Sequence, residues 1–310
     1  MKVLVTGGAG FIGSHICEEL IHAKFEVVAV DNLITGKESN VPAGIKFIRS
    51  DIRNSVDEIF EIEQPEYVIH MAAQVSVSKS TLNPSYDADE NIMGTINLLN
   101  ACVKYNVKKF IFASSAAIYG NPNYLPIEET HALNPLSFYG LSKLSAELYI
   151  QLFSALCGLK YTILRYSNVY GIRQDSNGEA GVIAIFSEKF LNNQQPYIHG
   201  DGHQTRDFVF VRDVAKANVL ALEKGENEIF NISSHSEVSI NQLIKEYERT
   251  LEIKANPIHG ANREGDIRES VLSNKKAKEH LGWCPSYSIR NGLSEMISFY
   301  KKESEHVYRV

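Results

Sequence analysis

Apolar residues recur along this chain in short runs that alternate with stretches of helical spacing. "KVLVT" is strand-sized, and "FIGSHICEELIHA" then sets Phe11, Ile12, Ile16, Leu20 and Ile21 on one helical face. "FEVVAVDN", "GIKFIRSDI" and "EYVIHMAA" read as three further strands. "NIMGTINLLNACVKYNV" repeats apolar residues at helical spacing, and "KKFIFASS" returns to strand. "SFYGLSKLSAELYIQLFSALCG" is a long amphipathic helix, followed by the strand "KYTILRYSNVYG". Strands joined through helices need crossovers, which are right-handed and give a parallel sheet covered on both faces. The expected fold class is α/β, a doubly wound parallel sheet with a second, smaller α/β domain.

Regularity fades after about residue 170. "RQDSNGEAG" is loop-like, and "EVSINQLIKEYERTL" is a clear helix. "DFVFVRDVAKANVLALEK" again reads strand then helix, and it is expected to return to the main sheet. The expected division is 1–170 for the sheet domain, with 207–224 returning to it, and 171–310 for a partly interleaved second domain that takes the substrate. The charged tail "KKESEHVYRV" is expected to be solvated.

Composition narrows the class. Of 310 residues, 31 are Lys or Arg and 37 are Asp or Glu, a net charge of −6 that argues against nucleic-acid binding. The longest apolar runs, such as "EVVAV" and "FIFA", are far too short to span a membrane. Cys17, Cys102, Cys157 and Cys284 are scattered without a C-x-x-C pair, so free thiols in a reducing compartment are expected. Met1 runs straight into a strand pattern, which leaves no room for a signal peptide. These features place the chain in the cytoplasm, and no metal site is expected.

The first candidate chemistry is "TGGAGFIGSH", where Gly7, Gly10 and Gly13 stand between a strand and a helix, as in a Rossmann dinucleotide site. Gly7 permits the tight turn, Gly10 lets a pyrophosphate reach the backbone, and Gly13 allows close helix packing. The N–H groups and dipole at the helix start favour the negative charge. Asp31 at the end of the second strand suits the adenosine ribose hydroxyls and would repel a 2′-phosphate, and Asn32 follows it rather than Arg. The expected cofactor is NAD. Phe11 and Ile12 between the glycines, Asn32, and Ala72 and Ala73 at the end of the fourth strand are counted with this site. So are Asp51 and Ile52, near where adenine would lie, although Asp51 is equally readable as a loop aspartate capping a helix. His70 reads as structural.

The second is "FYGLSK", which puts Tyr139 and Lys143 four apart on one helical face. A buried ammonium beside the phenol is expected to lower the tyrosine pKa, so that Tyr139 removes a hydroxyl proton while a nicotinamide takes the hydride. "FASSAAIYG" places Ser114 and Ser115 just past the fifth strand, on the carboxyl edge where such sheets bind ligands. Ser115 there can hydrogen-bond the same substrate oxygen and relay its proton.

Nearly the full length resembles an extended short-chain dehydrogenase/reductase, and within that family a UDP-hexose 4-epimerase. The motifs are "TGGAGFIGSH", "DN" at Asp31–Asn32, "SSAAIYG", "YGLSK", "RYSNVYG", "GDGHQTRDFVFVRDVA" and "REGDIRES". The resemblance implies that Ser115, Tyr139 and Lys143 are catalytic and also touch cofactor or substrate. It implies that Asn168 contacts the phosphates of a UDP-sugar and that Arg206 and Arg263 grip its pyrophosphate. Asp266 would bond the uridine ribose, and "GVIAIFSEKF", starting around Val182, would hold the uracil. The implied partner is a UDP-sugar, and the implied assembly is a homodimer through the helices "NIMGTINLLNACVKY" and "SFYGLSKLSAELYIQLFSAL".

The implied reaction is transient oxidation at C4 to a 4-keto sugar, rotation, and return of the hydride to the other face. A 4,6-dehydratase of this family carries Asp-Glu after the serine, where this chain has Ala116 and Ala117, so elimination lacks its acid and base. UDP-glucuronate 4-epimerisation stays open, as does a non-catalytic NAD-sensing module, against which the intact Ser115, Tyr139 and Lys143 argue. By resemblance, Ser270 lines the pocket near the sugar's C2 substituent. A small residue there points to UDP-GlcNAc and UDP-GalNAc as well as UDP-glucose and UDP-galactose.

Overall fold

Alternate residues of the first strand enter opposite cores. Val3 and Val5 lie in one buried cluster and Leu4 in another, as a strand covered on both faces requires. The computed structural model describes residues 1–176, 181–262 and 267–307. Its elements run β1 (Lys2–Thr6), α1 (Phe11–His22), β2 (Glu26–Asp31), β3 (Lys46–Arg49), α2 (Asp57–Glu63) and β4 (Tyr67–His70). Two short helices, α3 (Val77–Leu82) and α4 (Pro84–Ala88), lead through a π-helical turn at Asp89–Met93 into α5 (Gly94–Lys104). β5 (Lys109–Ser115) ends in a 3₁₀ turn at Ala116–Ile118, and α6 (Phe138–Cys157) precedes β6 (Lys160–Tyr166). The remainder comprises β7 (Asn168–Tyr170), α7 (Val182–Leu191), β8 (Tyr197–His199), β9 (Thr205–Phe210), α8 (Val211–Glu223) and β10 (Glu228–Ile232). It ends with β11 (Glu237–Ser239), α9 (Ile240–Leu251), β12 (Ile258–Gly260) and α10 (Ile289–Val307).

The main sheet has seven parallel strands in the order β10-β6-β5-β4-β1-β2-β3. The chain winds outward from β1 to β3 and then reverses from β4, so the crevice between β1 and β4 is the topological switch point. α1 and α8 cover one face, through Ile16, Leu20, Val214, Ala217 and Ala221. α5 and α6 cover the other, through Leu98, Leu99, Ala146 and Ile150. Among the described residues, no helix is long and apolar enough to cross a membrane.

The second half departs from the sequence expectation in identifiable places. The strand "KYTILRYSNVYG" divides: β6 stays in the main sheet, while β7 pairs with β9 in a three-stranded sheet ordered β11-β9-β7. The segment expected to return at 207–224 does so only as α8. Its strand, β9, stays in the small sheet because Phe208 and Phe210 pack with Tyr170, Leu243 and Tyr247 in a separate core. The seventh strand of the main sheet is instead β10, from the stretch assigned to the second domain. Ser114 and Ser115 are the last two residues of β5, not residues beyond it. The charged tail is helical as far as Val307. Part of "RQDSNGEAG", residues 177–180, lies outside the described residues.

A buried ion pair fastens α6 to the sheet. Arg165 of β6 donates from Nε and Nη2 to the two carboxylate oxygens of Glu147, at 3.0 and 2.7 Å. Its Nη1 reaches the Tyr119 hydroxyl at 2.9 Å and the Glu129 carbonyl at 3.0 Å. Both charges are excluded from water, so neither partner tolerates loss of the other. Glu147→Ala should cost about 3–5 kcal/mol, read as a lower denaturant midpoint; a stability within error of wild type would contradict the role given to this pair.

Candidate active site

The carboxyl ends of the parallel strands gather most of the sequence candidates. The loop after β1 turns at Gly7, with φ +67°, where a Cβ would meet the Ala72 nitrogen at 2.7 Å. At Gly13 a Cβ would lie 2.0 Å from the Gly7 carbonyl oxygen, so α1 starts against the loop that precedes it. Gly10 differs: a Cβ there would have only the Gly7 oxygen nearby, at 3.1 Å, and the rest of its surroundings are open. No side chain caps α1, whose first turn begins with Phe11 and Ile12. Its N-terminal N–H groups are therefore available to an anion.

Asp31 ends β2 and is almost fully buried. Its Oδ2 accepts the Ala9 N–H at 3.1 Å and its Oδ1 accepts the Leu33 N–H at 2.8 Å. A Cβ at Gly36 would come within 2.8 Å of Oδ1, so the missing side chain leaves approach to the carboxylate clear. Asn32 donates to Asp51 at 3.2 Å. Asp51 is also gripped by Arg53, through Nε at 3.0 Å and Nη2 at 2.7 Å, which lowers its pKa to about 2. Asp51 caps no helix: it accepts the Arg53 N–H at 2.9 Å within a turn, and α2 begins after Val56 without a side-chain cap. Ile52 is buried, and its carbonyl accepts from Asn97 at 3.1 Å. Ala72 and Ala73 follow β4, with the Ala72 N–H on the Thr6 hydroxyl at 3.3 Å. His70 is structural: its ring nitrogens contact the hydroxyls of Thr6 at 2.7 Å and Thr95 at 3.0 Å. An uncapped helix start, an open glycine and a buried acid suit a dinucleotide bearing a free 2′-hydroxyl.

Ser115 and Tyr139 come together although they lie on different elements. The Ser115 hydroxyl accepts the Ala117 N–H at 3.2 Å, which shapes the 3₁₀ turn. Gly140 rests on that turn, where a Cβ would meet the Ala117 oxygen at 2.6 Å. The glycine inside "YGLSK" therefore lets the first turn of α6 close on the end of β5. The Ser115 hydroxyl then lies close enough to Tyr139 to favour its phenolate electrostatically.

The electrostatics correct one expectation. Burial, not the ammonium, dominates Tyr139 and raises its pKa; the Ser115 hydroxyl opposes this and the Asp87 charge adds to it. Lys143 donates to the Ala113 carbonyl at 2.9 Å and sits 4.8 Å from the Phe112 ring centroid. Burial lowers its pKa to about 8, against the opposing pull of Asp87 and Glu147. The ammonium serves the β5 backbone and does not by itself make a phenolate. Sequence reading also missed the neighbours Gln74, Asp87, Asn91 and Ser142; the polar run "NPSYDADEN" is the signal that could have found Asp87 and Asn91, and nothing local marks the other two.

The proposed substrate residues lie on the second domain's side. Asn168 begins β7 and is exposed, and Val182 begins α7. Arg206 of β9 donates from Nη1 to the carbonyls of Thr205 and Ile267, each at 2.7 Å. Ser270 is half-buried, next to a segment that pairs with Ile127 through Val271 and Ser273. Arg263 and Asp266 lie outside the described residues.

The family follows from comparison with known proteins. Residues 3–233 match the model of the NAD dependent epimerase/dehydratase family. The chain belongs to that family. It is an enzyme of the extended short-chain dehydrogenase/reductase type, and NAD is its cofactor. It is similar to the UDP-glucose 4-epimerase of Thermotoga maritima solved with UDP-glucose, with a TM-score of 0.96 and 46% identity over 98% of this chain and 100% of that one. It is similar to the UDP-N-acetylglucosamine 4-epimerase of Methanobrevibacter ruminantium in complex with UDP-N-acetylmuramic acid, with a TM-score of 0.93 and 35% identity over 97% and 98%. It is also similar to the UDP-glucose 4-epimerase of Thermus thermophilus complexed with NAD, with a TM-score of 0.91 and 40% identity over 97% and 99%.

Proposed function

We propose that this enzyme is a UDP-hexose 4-epimerase working through a transient 4-keto sugar. The observation that carries the reading is the Ser115–Tyr139–Lys143 group beside the glycine cradle, with Ala116 and Ala117 where elimination would need an acid and a base. NAD, held by the backbone of Gly7 to Gly13 and by Asp31, supplies a reversible hydride acceptor and, when oxidised, a positively charged ring. Tyr139 exchanges the proton of the sugar's 4-hydroxyl, and Ser115, close to the phenol, is placed to hydrogen-bond the same oxygen. Lys143, tied to Ala113, keeps a cation behind the pair. Asn168, Val182, Arg206, Arg263 and Asp266 hold the nucleotide and diphosphate, where planar guanidinium groups are well suited. Anchoring at that end leaves the hexose free to turn and offer its other face.

Incubation with a panel of UDP-sugars and no added NAD, with products resolved by NMR, tests the reading. Interconversion of C4 epimers is expected, and binding without turnover would replace it with a sensing role. In the same assay Tyr139→Phe should be slower by about 10²–10⁴-fold, since that range is typical for a general acid–base group; wild-type rates would remove Tyr139 from the mechanism.

Ser270 extends the reading to N-acetylated sugars, in keeping with the N-acetylated nucleotide sugar bound by the Methanobrevibacter relative. Ser270→Tyr should lose UDP-GlcNAc turnover before UDP-glucose turnover, and equal loss of both would refute the pocket argument.

We also place the enzyme in the cytoplasm as a homodimer. All four cysteines are free. Leu141, Leu148, Tyr149, Leu152 and Leu156 form an exposed apolar stripe along α6, with Met93 also exposed at the start of the α5 segment. Light scattering should give twice the chain mass, and a Leu148→Glu/Leu152→Glu double variant should give the monomer; an unchanged mass in that variant would exclude this face.

A further inference from the structure

Behind the catalytic helix lies a carboxylate that the mechanism above leaves unused. Asp87 of α4 is 1% exposed, and α4 packs against α6. Its Oδ1 accepts from Gln74 Nε2 at 2.7 Å and from Asn91 Nδ2 at 3.2 Å. Its Oδ2 has no hydrogen-bond partner among the described residues. Asn91 also donates to the hydroxyl of Ser142, at 3.0 Å, and Ser142 immediately precedes Lys143 on α6. Asn91 and Gln74 close a reciprocal pair of bonds, Gln74 N–H to Asn91 Oδ1 at 2.8 Å and Asn91 Nδ2 to the Gln74 carbonyl at 2.9 Å. One oxygen of this buried carboxylate is held only by amides and the other has no partner among the described residues, so no cation touches it directly.

We propose that Asp87 is a positioning residue for the Tyr139–Lys143 pair: its buried carboxylate is the counter-charge to the Lys143 ammonium, and the Asn91–Ser142 bond couples it to the helix that carries both groups. The proposal rests on the 4-epimerase reading only for its kinetic readout.

The groups facing Lys143 are few. Glu147 lies one turn along α6 and is committed to Arg165 of β6. His70 of β4 is close enough to feel the lysine charge and is kept neutral by burial. Tyr139 lies one turn back, with the Ser115 hydroxyl near it. Asp87, by contrast, has no cation on it and is joined to α6 beside Lys143 through Asn91 and Ser142. It raises the pKa of Lys143 and of Tyr139 alike. Removing its charge lowers both, so Lys143 loses its proton at a lower pH and the activity window moves acidward as a whole.

The test uses the full-length protein labelled with ¹³Cε-lysine, with the Lys143 resonance assigned by its absence in Lys143→Arg. In Asp87→Asn, the Lys143 titration midpoint should fall by about one pH unit or more, the size typical for removal of one nearby opposite charge. Asp87→Glu should restore the wild-type midpoint. Asp87→Ser deletes the same charge with less bulk and serves if the amide variant does not accumulate. The pH profile of UDP-sugar epimerisation should shift the same way, with its alkaline limb at lower pH in Asp87→Asn and unmoved in Asp87→Glu. An unchanged Lys143 midpoint in the charge-deleted variants overturns the proposal, as does an activity loss equal at every pH. A wild type that turns over no UDP-sugar overturns the epimerase reading instead and leaves the NMR midpoint to decide the role of Asp87.

Discussion

Glu147 and Arg165 meet with both charges out of water, and their bidentate bond sets where α6 lies on the sheet. Desolvating two ions offsets much of their attraction, so such a pair contributes more to geometry than to net stability. Here the geometry is what the site needs. Tyr139 and Lys143 lie two turns and one turn before Glu147 on the same helix, and Lys143 adds a bond to the Ala113 carbonyl of β5. A rigid helix fastened at those points leaves little freedom at its first turn. Gly140 then seats that turn on the Ala117 carbonyl, and Tyr139 comes close to Ser115.

The cofactor cradle follows the same logic of close backbone approach without sharing a residue with that contact. Gly13 brings α1 against the Gly7 carbonyl, and Gly7 brings the loop against Ala72 after β4. Two pairs of elements thus converge on neighbouring strand ends, α1 with β1 and α6 with β5. β4 runs between β1 and β5, so the cofactor cradle and the proton-transfer groups are one strand apart. Side chains at any of these glycines would separate elements that the chemistry requires together.

Much of this was legible in the residues, because local patterns with one physical solution carry it. A strand, spaced glycines and an acid at the next strand end have few alternatives to a dinucleotide cradle; spacing puts Tyr139 and Lys143 on one helical face, and the glycine site and Ser-bearing strand end before them single the pair out. What escaped depends on contacts distant in sequence. Whether "DFVFV" joins the large or the small sheet turns on where Phe208 and Phe210 find partners, and those partners lie in α9 and β7. The direction of the Tyr139 pKa escaped for the same reason. Spacing puts Lys143 beside it, but spacing does not tell that the ammonium is bonded to Ala113 or how deeply the site is buried. Asp87 sits in a polar run with no apolar periodicity, and only the folding of α4 and the π-helical turn against α6 brings it beside Asn91 and Gln74.

The proposed chemistry needs a cofactor that stays, since a hydride returned to the same carbon leaves no net redox change. The segment after β2 bears on this point. Leu33 bonds Asp31, which in turn accepts the Ala9 N–H; Lys37 and Asn40 then both donate to the Ala9 carbonyl, at 3.0 and 3.1 Å. Residues 33–40 are thereby strapped across the glycine loop, and exchange of a dinucleotide would have to contend with those bonds. The 3₁₀ turn contributes from the other side. With Ala116 and Ala117 there, the turn itself brings no carboxyl to the sugar, so the 4-keto sugar of the proposed reaction would be reduced rather than lose a leaving group. In the proposed reaction the two features act together: a retained cofactor keeps the hydride in the site, and a turn without an acid–base pair leaves C4 as the carbon that takes it back.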